Sequence, residues 1–148
     1  MSDDRAPLPA ALEELAQDFH ELEAPDRLQL LLELSDELPG LPERYAGHLE
    51  QMEQVHECQS PLFLAVEVGD DEVVHVFFDA PRESPTTRGF AGILHTGLDG
   101  LSAPEVLAVP DDAPYRFGLA EAVSPLRLRG MVAMLSRIKG QVRQQTAA

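Results

Sequence analysis

Tryptophan is absent, cysteine and lysine occur once each, and aromatic residues make up only 5% of the 148-residue chain. A single cysteine rules out an internal disulfide and suits a reducing compartment. It also rules out a CxxC redox pair, a zinc ribbon, and an iron–sulfur cluster held by this chain unaided, which needs several thiolates. No stretch approaches the roughly 18 consecutive apolar residues of a membrane span. The first residues, Met1-Ser2-Asp3-Asp4-Arg5, are acidic where a secretory signal is basic, and no apolar segment follows. The chain is therefore expected in the cytoplasm. A glycine-rich phosphate loop is missing too: Gly89-Phe90-Ala91-Gly92 has neither the spacing nor the preceding strand.

Positive charge is scarce. Eleven bases stand against 26 acids, a net of −15. The imbalance is uneven: residues 1–54 carry −11 and residues 55–125 carry −9. From Leu126 onward five bases (Arg127, Arg129, Arg137, Lys139, Arg143) meet no acid. Such a field repels phosphate backbones, which argues against a nucleic-acid partner. It would steer a partner with a basic docking surface, or simply favour solubility.

What remains is ordinary for a globular protein: 44% apolar and 25% charged residues, enough for one domain with one core. Leu8, Leu12, Leu15, Phe19 and Leu22 form one stripe of an amphipathic helix, broken at Ala24-Pro25. Leu28, Leu31, Leu32, Leu34 and Leu38 form a second, ended by Pro39-Gly40-Leu41-Pro42. A weak strand signal at about Met52–His56 precedes two strong ones, Leu62–Val68 and Val73–Phe78, joined by the turn-type linker Gly69-Asp70-Asp71-Glu72. Ser84 or Thr86 could cap a helix through Phe90, Ile93, Leu94 and Leu98. Ser102 and Glu105 have capping-box spacing, a one-turn piece is expected over Tyr115–Leu119, and Ser124-Pro125 opens a last helix through Leu128, Met131, Leu135, Ile138 and Val142. Helices, then strands, then helices predict an α+β fold with a three-stranded antiparallel sheet rather than a parallel βαβ architecture.

Cys58 falls in the turn between the weak strand and the first strong one. Four readings are open. It could be a hydrolase nucleophile with His56 or His75 as base, although no orienting third residue is evident. It could join His56, His75 and His48 in a metal site. It could be a transfer thiol that accepts a group and hands it on, which needs only one sulfur, an accessible turn and a partner supplying the rest of the chemistry. Or it could be a buried, inert cysteine.

Cys58-Gln59-Ser60 before an apolar strand resembles the cysteine motif of the SufE family, sulfur-accepting partners of SufS-type cysteine desulfurases. Other segments agree in order: Leu38-Pro39-Gly40-Leu41-Pro42, Arg88-Gly89-Phe90, Ser102-Ala103-Pro104-Glu105-Val106, and Ser124-Pro125-Leu126-Arg127 with Gly130-Met131. The resemblance spans about residues 10–143, within a single domain 1–148. It implies a SufE/NifU-like α+β domain in which Cys58 takes persulfide sulfur from a desulfurase and relays it to iron–sulfur cluster assembly on a downstream scaffold. It implies a sulfur carrier and activator without independent turnover, with no cofactor and no metal of its own. The desulfurase would hold the pyridoxal phosphate. Arg127 matches the family's signature arginine and would anchor the cysteine loop or contact the desulfurase, while Gln59 and Ser60 would fix the loop by side-chain to backbone bonds. An alternative on the same fold is a non-catalytic regulatory binding partner. Both a monomer and a homodimer fit. Glu57 stands where the family commonly has glycine, and a carboxylate beside a thiol raises its pKa.

Overall fold

The structure, a computed structural model, describes residues 6–147. Among these, the elements run α1 Ala10–His20, α2 Ala24–Glu37, β1 Glu53–Gln54, β2 Phe63–Val68, β3 Val74–Asp79, α3 Pro85–Leu98, α4 Ala103–Leu107 and α5 Pro125–Thr146, with short 3-10 turns between some of them. The helix–strand–helix order of the α+β expectation holds.

α1 turns Leu12, Ala16 and Phe19 inward, as its apolar stripe dictates. Pro25 lies in the first turn of α2, where a missing N–H breaks no helical bond. α3 is the central helix, with nine of its 14 residues buried. It packs directly on α2: a Cβ on Gly92 would stand 2.6 Å from the Leu34 carbonyl oxygen, so only glycine permits this approach. Arg88 secures the start of α3 by donating to the Ala80 carbonyl at 2.7 Å and the Ser35 carbonyl at 3.3 Å.

The sheet has the order β1-β2-β3, antiparallel throughout. Opposite pairs Leu64–Phe78, Val66–Val76 and Val68–Val74 lie on one face, and the first two are buried in the core. On the other face Phe77 is covered by Tyr45, with ring centroids 5.2 Å apart, and by the Arg44 guanidinium, which also makes paired 2.6 Å bonds to Glu67. The Gly69–Val73 turn closes β2 onto β3, and the Asp71 carboxylate accepts the Val73 N–H at 3.0 Å.

β1 is so short that it leaves the far half of β2 without a strand neighbour. α5 fills the gap. Gln141 accepts the Val66 N–H at 2.8 Å, and Gln145 accepts the Val68 N–H at 2.9 Å while donating to the Val66 carbonyl at 2.6 Å. Two glutamine side chains, one helical turn apart, thus complete the ladder of a strand edge.

The capping box at Ser102 is complete, with both the Ser102 Oγ and Glu105 carboxylate bonds formed. Two local expectations are corrected. Ser84 occupies the N-cap of α3 without a side-chain capping bond. The single turn expected over Tyr115–Leu119 is instead two 3-10 turns, Ala113–Arg116 and Leu119–Glu121, because Gly118 between them adopts a left-handed φ of 64°.

Candidate functional site

The chain between β1 and β2 leaves the sheet at Val55 and returns at Leu62. Both residues are fully buried, and the Val55 N–H donates to the Leu62 carbonyl at 2.8 Å. Between these two anchors His56, Glu57, Gln59 and Pro61 are exposed, while Cys58 turns inward and is half-buried. The expectation of a thiol at a hairpin tip is met in topology, but the tip is folded back onto α5 rather than projecting into solvent.

The seat of the thiol is Gly130. Cys58 Sγ lies 3.8 Å from the Gly130 carbonyl oxygen, to which the thiol donates a weak bond. A Cβ on residue 130 would stand 3.1 Å from Sγ and 3.5 Å from the Cys58 Cα, so the loop rests where α5 has no side chain. Burial pushes the Cys58 thiol from its ordinary value near 9 up to about 11. The Glu57 carboxylate adds to the rise and the Arg137 guanidinium opposes it. In this closed form the thiol is a poor nucleophile.

Glu57 is held by Arg137, with Nη1 2.8 Å from its carboxylate, and the Nε of the same guanidinium lies 3.2 Å from Glu53 of β1. Arg137 is 22% exposed, so its head is largely withdrawn between the two acids. The charge introduced beside the cysteine is therefore partly neutralised where it sits. Arg137 carried no sequence signal as a site residue: it belongs to a basic helix far along the chain, and only the fold brings it to the loop.

The other expected site residues are placed as follows. Arg127 lies in the first turn of α5 and is exposed. Its backbone N–H donates to Ser124 Oγ at 3.3 Å, and among the described residues its guanidinium has no hydrogen-bond or ion-pair partner. Gln59 is exposed and Ser60 partly buried, and neither side chain bonds the backbone among the described residues. The ion pair that the loop makes goes instead to Arg137, through Glu57. The histidine readings find no support in the geometry. The thiol's partner is a carbonyl, His48 pairs with Glu50, and His75 lies 3.4 Å from Asp99. Among the described residues no three His, Cys, Asp or Glu side chains gather into a possible metal site, and no helix is long and apolar enough to cross a membrane.

Comparison with known proteins agrees with this architecture. Residues 13–142 match the family model described as SufE, Fe-S metabolism associated domain. An uncharacterized SufE-like protein of Mycobacterium tuberculosis is 54% identical over 139 residues, covering 94% of this chain and 96% of the relative. The Arabidopsis thaliana SufE-like protein 1, chloroplastic/mitochondrial, is 29% identical over 86% of this chain but only 33% of its own length. Among solved structures, the solution structure of a hypothetical protein from Thermus thermophilus superposes with a TM-score of 0.84 at 37% identity, covering 96% of this chain and all of that one.

Proposed function

The chain belongs to the SufE family, whose domain is associated with Fe-S metabolism, and from that premise we propose that Cys58 accepts persulfide sulfur from a cysteine desulfurase. The supporting observation is the loop itself: one inward-facing thiol on a short segment slung between two buried anchors, Val55 and Leu62. Such a segment can swing out as a unit while the sheet and α5 stay in place.

The chemistry is thiol–disulfide exchange. The Cys58 thiolate attacks the terminal sulfur of a persulfide on the donor enzyme. A new sulfur–sulfur bond forms at Cys58, the donor's own bond breaks, and the donor cysteine leaves as a thiolate that takes up the proton Cys58 gave away. No electrons are gained or lost overall. Outward movement of the loop removes the burial that holds the thiol near 11, so docking and activation coincide. The desulfurase, a SufS-type enzyme, supplies the pyridoxal phosphate chemistry, and an iron–sulfur scaffold in the cytoplasm receives the sulfur. Exposed Arg127, beside Leu126 with 46% of its surface open, forms part of the face that meets the desulfurase.

Incubation with desulfurase and free cysteine, followed by intact-mass analysis, should find the protein one sulfur atom heavier, and Cys58→Ser should abolish both that adduct and the stimulation of turnover. Equal stimulation by wild type and Cys58→Ser rejects the relay. The high pKa of the resting thiol favours one second reading, a regulatory partner that binds the desulfurase without taking sulfur. That reading requires a stable complex and no adduct.

A further inference from the structure

We propose that Arg137 is a positioning residue for the acceptor cysteine: its ion pair with Glu57 latches the Cys58 loop in the closed form and sets how often the thiol is presented. The polar side-chain tethers of the loop are few. Gln59 and Ser60 make no bonds among the described residues, Cys58 has its weak bond to Gly130, and Glu57 has Arg137 at 2.8 Å. Arg137 is well placed to resist opening. It springs from the long helix that forms the rear wall of the site, two turns beyond the Gly130 seat. Its Nε is simultaneously held by Glu53, which Gln141 also binds at 3.0 Å, so the guanidinium cannot follow the loop outward. One cation is thus shared between the fixed strand β1 and the movable loop. When the loop swings out, the Glu53 half remains and the Glu57 half breaks.

The latch has a consequence that direct electrostatics does not share. Acting only as a nearby charge, Arg137 favours the thiolate, so its removal would slow alkylation of Cys58 at fixed pH. Acting as a latch, it suppresses the open population, so its removal speeds alkylation, because apparent reactivity scales with the fraction of molecules in the competent state. The two roles predict opposite signs.

The inference rests on Cys58 being the acceptor only for its biological meaning, and its test needs no desulfurase. Alkylation of Cys58 by iodoacetamide is timed at fixed pH in the wild type, Arg137→Gln, Glu57→Gln and the double variant. Arg137→Gln is expected to react about 1.5- to 5-fold faster, the range set by one partly exposed ion pair. The double variant should fall short of the product of the single effects. Raising salt should accelerate the wild type and leave Glu57→Gln nearly unchanged, since screening loosens the same contact. Glu57→Gln alters an exposed loop position, so this arm stands even if Arg137→Gln fails to fold. A slower or unchanged rate in folded Arg137→Gln, or equal salt responses in wild type and Glu57→Gln, overturns the latch. Neither result touches the persulfide assay, whose failure would count against the relay alone.

Discussion

At the scale of single residues the protein is organised around a thiol kept quiet by its seat. With a pKa near 11, Cys58 carries about a hundredfold less thiolate at neutral pH than an ordinary thiol near 9. Alkylation of the isolated protein should therefore be slow and should climb with pH through 10 without levelling. The same shift couples to stability. Between about 9 and 11 the folded thiol keeps its proton while the unfolded one has lost it, so the unfolded state binds fewer protons and stability falls as pH rises through that window. Urea midpoints should show wild type losing ground to Cys58→Ser there, and parallel curves would mean that the thiol is already solvated in the folded protein. Gly130→Ala probes the seat. Its Cβ would stand 3.1 Å from Sγ, and because the loop backs onto solvent the loop is what yields, so alkylation should accelerate severalfold with little change in melting temperature. The cysteine and its turn were legible in the sequence because both are local features. Gly130 was visible only as part of a motif, and Arg137 not at all, since nothing local marks which arginine of a basic helix will face a loop folded against it from far earlier in the chain. Arg127 shows the converse. Its motif match singles it out, yet it points to solvent, so Arg127→Ala should weaken desulfurase stimulation while leaving Cys58 alkylation of the free protein unchanged.

At the scale of elements, α5 does two jobs with one helical row. Arg137, Gln141 and Gln145 recur every four residues, and this spacing aligns the loop tether with the two glutamines that complete the β2 edge. Replacing Gln141 by Leu would leave the buried Val66 N–H unpaired, a loss of about 1–3 kcal/mol by chemical denaturation. Gln144→Leu, on the exposed side of the same helix, should move stability by less than about 0.5 kcal/mol. A loss in Gln141→Leu as small as that of the control would show that water replaces the edge bond at no net cost. The apolar periods of α1, α2, α3 and α5 and the turn chemistry between β2 and β3 are what made those elements readable, for each is decided by neighbours in the chain. β1 was only faintly legible because two exposed residues leave almost no pattern. The glutamine row was illegible because its partners are backbone groups, which every sequence supplies equally. Arg88-Gly89-Phe90 belongs to this scale too: the arginine bridges the end of β3 to α2, so the motif segment fixes the packing of α3 rather than the cysteine loop.

At the scale of the whole molecule, charge ties the site to its surroundings. Of the five bases on α5, Lys139 is buried against Asp111 and Arg137 is engaged at the loop, leaving Arg127, Arg129 and Arg143 exposed on an otherwise acidic protein of net −15. The sequence already showed a basic end following an acidic body. The fold adds that this end is the very helix on which the cysteine loop rests. Ionic strength therefore acts on two different distances. Over a few ångströms, salt loosens the Glu57–Arg137 contact and frees the loop. Over tens of ångströms, beyond a screening length of about 8–10 Å near physiological salt, it removes the long-range field that would draw a basic desulfurase surface towards the acidic body. These effects oppose each other in sign and are separable by assay. Raising salt from about 50 to 300 mM should speed alkylation of free Cys58, yet slow the association step when desulfurase stimulation is measured at limiting protein. Should both rates rise together, encounter is not steered by net charge and loop opening governs the transfer. Should both fall, the loop is held by its apolar seat on Gly130, and the ion pair contributes little to keeping the thiol closed.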